Sequence, residues 1–335
     1  MTGVTEREIT GPVDLCTPKG RLDRAAVGWT RQPLHRTAVP GWGRTKRWEY
    51  WGVMTPSVFV GLTISSLDYA GVEALYVLER ATGRERVHEA VVPLARGVVL
   101  PERCGTGRAS ASAKDLRIEL VEVAGGTHLT ATAPGIEVDV VAALPEGHER
   151  MGVVVPWSDT RFQYTVKDVG RPVSGSVVVD GVRHEVGGQG SFGVLDHGRG
   201  RWPYSLTWNW GAGHATVDGR RVGVQVGGLW TDGTGSTENA LVLDGVVHKE
   251  SATLRWEYDR ADWLRPWRIR TIDGDRVDLT FTPEHDRVAR TNLLVVANET
   301  HQCFGTWSGW MSTDDGERVR VDGAEGWAEE ARNRW

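Results

Sequence analysis

The sequence predicts an all-β protein with two antiparallel barrels in tandem, an extended N-terminal arm and a short C-terminal helix. Its 335 residues suggest about two domains. Short runs rich in β-branched residues recur about every 8–12 residues between Gly, Asp and Pro, as in antiparallel sandwiches and barrels. Several runs alternate apolar and polar residues, as in LRIELVEV from Leu116. Long helical patterns between the strands are missing, which disfavours a parallel α/β fold.

The first 40 residues predict an extended arm. Proline lacks the backbone N–H that helices and sheets use, and it recurs throughout this stretch. One helical turn is expected in RLDRAAVGW. The prolines that interrupt the arm are Pro12, Pro18, Pro33 and Pro40.

The two barrels are expected over residues 41–165 and 166–335. Strands of the first are predicted in runs such as VFVGLTISSLDYAGVEALYVLE and IEVDVVAAL. In the second part, Asp-Gly pairs that begin at Asp180, Asp244 and Asp273 predict hairpin turns. The domain boundary is expected within MGVVVPWSDTRFQYTVKDVG, and GAEGWAEEARNRW at the C-terminus predicts one short helix. Closing each sheet into a barrel would remove exposed sheet edges.

Charge and cysteine content disfavour several function classes. The net charge is −5 at pH 7 and the pI is about 6.1, which disfavours a general nucleic-acid binder. No run approaches about 18 apolar residues, and the N-terminus lacks the apolar stretch of a secretory signal. The three cysteines, Cys16, Cys104 and Cys303, are scattered. They predict a reducing, cytoplasmic location and no metal site.

Tryptophan is unusually frequent, with 16 residues in the chain. The string RGRWPYSLTWNWGAGH contains Trp208 and Trp210, which point to one face of a strand while Asn209 points to the other. Indoles fill barrel interiors, but they also form the walls of apolar ligand cavities. We expect an early group (Trp42, Trp48 and Trp51) to be structural. The later pair, beside a dense charged segment, is expected near a ligand pocket.

The charged segment is GGQGSFGVLDHGRGRWPYSLTWNW. It holds Asp196, His197, Arg199 and Arg201 between glycines. A simple loop salt bridge would explain an Asp-His pair near arginine. The alternative is a catalytic group, because a carboxyl buried against an indole retains its proton and can act as a general acid.

A second polar site is predicted in WTDGTGSTENALVLDG. Glu238 and Asn239 either cap backbone groups of a turn or enter a strand, with one of them facing the barrel interior. A buried Glu238 would need partners, and Arg199 is one candidate. The residues expected to contact a ligand are Trp208, Trp210, Arg199, Tyr204, Asn239 and Trp230.

Taken in order, the motifs resemble the bacterial family DUF2804 over nearly the whole chain. They are PVDLCTPKGRLDRAAVGWTRQPLHR, GWGRTKRWEYW, GVLDHGRGRWPYSLTWNW, STENALVLDG and QCFGTWSG. The G-x-x-DH-x-x-G segment before a W-x-W strand also resembles the double-calycin proteins, which are tandem lipocalin-like barrels. That group includes carotenoid 1,2-hydratase, kievitone hydratase, AttH-type proteins and certain fungal Diels–Alderases.

The resemblance implies a ligand pocket lined by aromatic residues at a barrel mouth or between the barrels. In the hydratase members a carboxylic acid protonates an alkene and water captures the cation, which tryptophan faces would stabilise. Carried onto this chain, Asp196 would donate the proton and His197 would orient or relay it. Glu238 would be a second acid or a base that positions water. No metal or organic cofactor is implied.

Three functions follow from these expectations. The first is a cofactor-independent hydratase, cyclase or isomerase acting on a hydrophobic or terpenoid-like small molecule. The second is a lipocalin-like carrier that binds such a molecule without catalysis. The third is a carbohydrate-active enzyme, which needs two carboxyls about 5–9.5 Å apart. Asp196 and Glu238 could supply them, as could Asp159 or Asp232.

Overall fold

A computed structural model describes residues 6–293 and 296–334 of the chain. The chain forms two compact units, one made by Ile9–Trp202 and the other by Met1–Glu8 together with Pro203–Trp335. Each unit contains a curled antiparallel sheet, one a near-barrel and the other a half-barrel. The prediction of an all-β protein with two barrel-like sheets is therefore confirmed.

The first unit opens with three two-residue strands and then continues in long ones. Between the short strands lies a single 3-10 turn at Arg24–Ala26, and the Asp23 side chain caps it by accepting from the Ala25 amide at 2.9 Å. The helical turn expected in the arm is thus present. The strands of this unit are β1 (Val13–Asp14), β2 (Trp29–Thr30), β3 (His35–Arg36), β4 (Lys46–Met54), β5 (Val58–Ser66), β6 (Ala70–Glu79), β7 (Arg84–Pro93), β8 (Arg108–Ala113), β9 (Leu116–Val123), β10 (Gly126–Ala133), β11 (Ile136–Ala143), β12 (Met151–Ser158), β13 (Arg161–Val179), β14 (Val182–Val186) and β15 (Phe192–Arg201).

The main sheet of this unit has the strand order β7-β6-β5-β4-β15-β13-β11-β10-β9-β8. The long strand β13 connects its two halves, since it pairs with β12 and β15 near its start and with β11 and β14 near its end. The sheet curls until β6 and β7 approach β9. The domain boundary expected between residues 165 and 166 falls inside β13, whereas the division between the compact units follows Trp202.

One face of this sheet encloses the core of the first unit. Alternate residues point to this inner face, so that Trp51, Leu62 and Leu75 on three successive strands all join one buried cluster. The predicted alternation of LRIELVEV is confirmed in β9, where Leu116 and Ile118 belong to the same cluster. Burial of these side chains supplies the main favourable free energy of folding.

The second unit repeats this plan with a smaller sheet. The strand order is β19-β18-β17-β16-β25-β23-β22-β21-β20, with β24 paired to β23. Its inner face carries a separate core that includes Val224, Trp267 and Trp307. The strands are β16 (Ser205–Val217), β17 (Arg220–Gly228), β18 (Asn239–Leu243), β19 (Val246–Glu250), β20 (Leu254–Glu257), β21 (Trp267–Thr271), β22 (Val277–Leu293), β23 (Val296–Ser312), β24 (Arg318–Arg320) and β25 (Ala324–Arg334).

The Asp-Gly hairpins lie where the sequence predicts them. Asp180 joins β13 to β14 with φ +48°, and Asp244 joins β18 to β19 with φ +53°. Each is followed by a glycine that also has positive φ, the pattern of a tight hairpin turn. The third pair, which begins at Asp273, lies between β21 and β22.

The predicted C-terminal helix is wrong. Ala324–Arg334 is a strand that pairs with β16 on one side and β23 on the other. Its Ala and Glu residues favour a helix in isolation, but two ladders of backbone hydrogen bonds outweigh that local preference. Among the residues that the structure describes, no helix is long and apolar enough to cross a membrane.

Candidate functional site

A buried polar cluster lies on the inner face of the first sheet. His197 of β15 pairs in register with Glu49 of β4, and Arg199 pairs with Arg47. Because His197 and Arg199 alternate with core residue Leu195, their side chains enter the interior. His197 and Glu49 are far apart in the sequence, but they lie on adjacent strands, which are about 5 Å apart.

Glu49 connects the members of this cluster. Its Oε1 accepts a hydrogen bond from His197 Nδ1 at 2.7 Å and from Arg199 Nη2 at 3.0 Å. Arg199 Nη1 also donates to the carbonyl oxygens of Trp48 and Gly198, and Nη2 donates to that of Pro101, at 2.7–2.8 Å. His197 is fully buried and Arg199 is 1% exposed. Such burial makes this charge pair sensitive to the loss of either partner.

The environment sets the protonation of the cluster. Burial and the positive charge of Arg199 lower the pKa of His197 below its ordinary value. Burial opposes ionisation of Glu49, but His197 and Arg199 outweigh it and leave the pKa of Glu49 lowered. His197 is therefore neutral near pH 7, with its Nδ1 proton donated to an ionised Glu49. Its Nε2 then carries a lone pair, and among the described residues it has no hydrogen-bond partner.

Further unpartnered polar atoms lie close to His197. The Tyr164 ring lies 6.1 Å from the His197 ring and 4.5 Å from the His35 ring, measured between centroids. The Tyr164 hydroxyl is buried and lacks a partner among the described residues. Burial raises the pKa of Tyr164 well above its ordinary value, so the hydroxyl keeps its proton. Imidazole and phenol together offer one acceptor and one donor to a bound molecule.

A cavity of about 420 Å³ opens at the end of the sheet next to this cluster. Arg47 and Ser66 line this cavity. Arg47 lies two residues before Glu49, on the same face of β4. The Arg47 guanidinium is paired with Asp68. Asp68 also lines the cavity, which suits a molecule with a polar group and a hydrophobic body, because the remaining lining residues are apolar. They are Trp42, Leu94, Ala95, Val98, Val99 and Leu100.

Asp196 does not contact His197, although the two are consecutive in sequence. Successive side chains of a strand point to opposite faces, and Asp196 lies on the face opposite the cluster. It accepts hydrogen bonds from Thr165 Oγ1 at 2.8 Å and Trp48 Nε1 at 3.1 Å, and Lys167 Nζ lies 3.2 Å away. The expected orientation of the Asp196 proton by His197 is therefore absent from this structure.

Glu238 and Trp230 do lie together, in the second unit. Trp230 Nε1 donates to Glu238 Oε1 at 2.6 Å, and Glu238 is 1% exposed. Asn239 accepts from the Gly227 amide at 2.7 Å and donates to the Ala252 carbonyl, which is the backbone-capping role considered from the sequence. Arg199, the expected partner of Glu238, pairs with Glu49.

The predicted alternation along β16 is confirmed. Trp208 Nε1 donates to Glu329 and Trp210 Nε1 donates to Gln225, both at 3.0 Å, from one face of the strand. The amide of Asn209 instead donates to the Tyr258 hydroxyl at 3.1 Å. Tyr204, also expected to contact a ligand, is 61% exposed.

The family described as "Domain of unknown function (DUF2804)" matches residues 6–335. The chain belongs to the DUF2804 family. No curated protein matches the sequence significantly.

Two solved structures share the fold of this DUF2804 protein. An AttH-type protein from Nitrosomonas europaea is 12% identical, with 96% of this chain and 98% of that chain covered and a TM-score of 0.53. Kievitone hydratase from Nectria haematococca is 10% identical, with 88% and 89% covered and a TM-score of 0.52. These similarities confirm the predicted likeness to the double-calycin group at the level of fold.

Sequence reasoning missed Glu49 and Tyr164 in this DUF2804 protein. Both lie in strands where a polar residue is normally assigned to the solvent face. The signal for Glu49 was available in KRWEYWGV, where the alternation places Glu49 on the same face as Trp51. Among the residues that the structure describes, no group of three or more His, Cys, Asp or Glu side chains has the arrangement of a metal site.

Proposed function

We propose that this DUF2804 protein is a cofactor-independent enzyme of the hydratase, cyclase or isomerase type. Its substrate is a hydrophobic or terpenoid-like small molecule that enters the first unit through the cavity beside Arg47. The observation that carries the proposal is His197, a buried neutral imidazole oriented by Glu49, with its Nε2 lone pair unused among the described residues. Acid–base steps of this kind contribute about 10²–10⁴-fold to rate.

The proposed chemistry is a proton transfer at His197 Nε2. The Nε2 lone pair removes a proton from the substrate or from water that attacks it, and the resulting imidazolium is stabilised by the Glu49 carboxylate 2.7 Å from Nδ1. Arg199 holds Glu49 in place, and the Tyr164 hydroxyl is available to donate to a substrate oxygen. The similarity in fold to kievitone hydratase supports the same reaction class.

Asp196 and Glu238 remain proposed acidic groups of the protein. Asp196 accepts from an indole and a hydroxyl, and Glu238 accepts from the Trp230 indole. A carboxyl beside an indole suits proton donation or cation stabilisation. If Asp196→Asn and Glu238→Gln both leave turnover unchanged, neither carboxyl belongs to the mechanism.

The proposal is tested by incubating the protein in D₂O with the terpenoid probes citral, geraniol and β-ionone. Mass spectrometry reports deuterium that enters a probe by exchange or by addition of D₂O. We expect incorporation by the wild type and a loss of at least about 100-fold in His197→Gln, because the base is removed. Glu49→Gln is expected to lower the rate too, since the imidazole loses its orienting partner.

The matched control is His128→Gln. His128 forms an exposed pair with Asp139 at 2.8 Å in the same unit, so it repeats the His–carboxylate chemistry away from the cluster. Its variant should keep the wild-type rate. Full activity of His197→Gln on a probe that the wild type converts would contradict the proposed role of the imidazole.

The second candidate function is a carrier of a hydrophobic metabolite. The cavity of about 420 Å³ with Leu94, Val98 and Leu100 in its lining favours binding without requiring any proton transfer. The two functions differ in one measurement. In a carrier, His197→Gln changes neither the deuterium content of a bound probe nor the rate at which products form.

A further inference from the structure

Glu73 is a buried carboxyl that the proposed mechanism leaves unused. It lies on β6, where Leu75 and Val77 on the same face belong to the core of the first unit. Glu73 is fully buried. Neither of its carboxyl oxygens has a hydrogen-bond partner among the residues that the structure describes. An ionised carboxylate in such a position is costly, so burial raises the pKa of Glu73 above its ordinary value and favours the neutral acid.

The strand register places Glu73 in the same row as His197, where a row is a line of paired residues that runs across neighbouring strands. His197 pairs with Glu49, Glu49 pairs with Ile64 and Ile64 pairs with Glu73, across β15, β4, β5 and β6. All four side chains point to the inner face of the sheet. Neighbouring strands are about 4.8 Å apart, so the backbones of Glu49 and Glu73 are about 10 Å apart. The residue between them in this row is Ile64, whose side chain is apolar and buried.

The next row toward the cavity connects Glu73 to the ligand entrance. It contains Arg47, Ser66 and Gly71, and the first two line the cavity. Gly71 lies two residues before Glu73, on the same face of β6. A Cβ atom at Gly71 would lie 2.8 Å from the side chain of Val98, which lines the cavity. The absence of a side chain at Gly71 lets Val98 and Ala95 pack against β6 two residues before Glu73.

The charged groups in these rows are already paired. Glu49 is paired with Arg199, and Arg47 is paired with Asp68. Unused hydrogen-bonding capacity remains on the carboxyl of Glu73, on the rings described above and on the Nε–H groups of Arg47 and Arg199, whose charges are balanced by these pairs. An anionic or cationic ligand would therefore bring an unbalanced charge into a buried site, whereas a neutral oxygen would meet a donor and an acceptor.

We propose that Glu73 is the proton donor of this site and that the ligand is an uncharged molecule bearing a hydroxyl or carbonyl group. This inference rests on the proposed function and adds the acid to its base. Glu73 gives its O–H proton to the substrate and becomes a carboxylate, while His197 Nε2 accepts a proton from the substrate or from water. Transfer of that proton from His197 back to Glu73 through solvent restores both groups.

Infrared difference spectroscopy tests the protonation of Glu73 without any turnover. At pH 7 the spectrum of wild type minus Glu73→Gln should contain the carbonyl stretch of a protonated carboxyl. Wild type minus Glu49→Gln is the matched control and should contain carboxylate bands instead. Carboxylate bands in the Glu73 difference would overturn the inference. If Glu73→Gln does not fold, Glu73→Met supplies the same difference.

The ligand class is tested with 1-decanol and decanoate, which share one chain and differ in charge at pH 7. Isothermal titration calorimetry should give at least about tenfold tighter binding of 1-decanol, and Glu73→Met should reduce that binding at least about fivefold. Equal or tighter binding of decanoate, or no binding of either probe, would overturn the inference. By contrast, the deuterium incorporation measured in His197→Gln tests the proposed function only and does not test the role of Glu73.

Discussion

At the scale of single residues, Glu49 connects two other buried polar side chains of the first unit. One oxygen accepts from both His197 and Arg199, so three buried side chains share a single hydrogen-bonding centre. Removing either donor leaves a buried group without its partner, which typically costs more than the pair contributes. The same centre couples the stability of the unit to pH.

Acid should destabilise the protein through this cluster. The pKa of His197 is lower in the folded chain than its ordinary value of about 6.5, so the unfolded chain takes up a proton first as the pH falls. The pKa of Glu49 is also lowered, which removes further stability below about pH 4.5. We expect the free energy of unfolding to decrease from about pH 6.5 downward, by at most about 1.4 kcal/mol per pH unit for each group.

Urea unfolding measured between pH 4 and 8 checks this dependence. The His197→Gln variant should lose part of the decrease that begins near pH 6.5, whereas His128→Gln should follow the wild-type curve. The rest of that decrease comes from His35, because burial lowers its pKa to about 4. A wild-type stability that is flat from pH 8 to pH 5 would contradict the lowered pKa of His197.

Residue-level prediction from the sequence succeeded where alternation was enough. The opposite orientation of Asn209 relative to Trp208 and Trp210 needed only the two-residue period of a strand. Asp196 and His197 have different partners in the structure, because consecutive residues of a strand face opposite sides of the sheet. Glu49 meets His197 only through the register between β4 and β15, which one sequence does not reveal.

At the scale of elements, β13 determines how the first sheet bends. Its register with β15 shifts between Val169 and Arg171, around Gly170 with φ +82°. Further along, Gly175 has φ +136°, and a Cβ there would lie 2.1 Å from the Asp139 carbonyl oxygen. Both glycines allow one strand to serve both halves of the sheet, since bulges and close backbone approaches need residues without side chains.

Gly175→Ala should destabilise the first unit strongly. The positive φ alone costs about 1–3 kcal/mol for a residue with a Cβ, and the contact with the neighbouring backbone adds to it. Thermal unfolding followed by circular dichroism should show a lower melting temperature. Gly11→Ala is the control, because nothing lies within 4 Å of its Cβ position. Equal melting temperatures of the two variants would contradict the close approach at Gly175.

The C-terminal element was predicted as a helix, but it is strand β25. GAEGWAEEARNRW contains good helix formers, yet β25 is central in its sheet. The strand conformation of this segment comes from backbone pairing with strands distant in sequence, which the local composition does not reveal. The Asp-Gly hairpins were predictable because a tight turn depends on the conformations of two adjacent residues.

At the scale of the whole molecule, the two-barrel organisation was predictable because turn spacing and length carry it. The sequence did not predict that the N-terminal segment belongs to the second unit. Glu6 belongs to the second unit, where it accepts from the Thr237 amide at 3.1 Å and from the buried Lys249 ammonium. Burial lowers the pKa of Lys249, and Glu6 counteracts that effect.

Glu6→Ala should destabilise the second unit, since it leaves the Lys249 charge buried without its carboxylate. The expected loss is about 3–5 kcal/mol. Hydrogen exchange should become faster in β18 and β19, while exchange in β4 and β15 stays as in the wild type. Glu8→Ala, at an exposed position of the same segment, is the control. Unchanged exchange in β19 of the Glu6→Ala variant would contradict this account.

The partnership of Glu6 with Lys249 also constrains synthesis of the protein. The two residues are 243 positions apart, so Glu6 leaves the ribosome long before its partner has been translated. The second unit cannot satisfy Lys249 until Glu6 reaches it. The Glu6–Lys249 pair therefore forms only after Lys249 has been synthesised, 243 residues after Glu6.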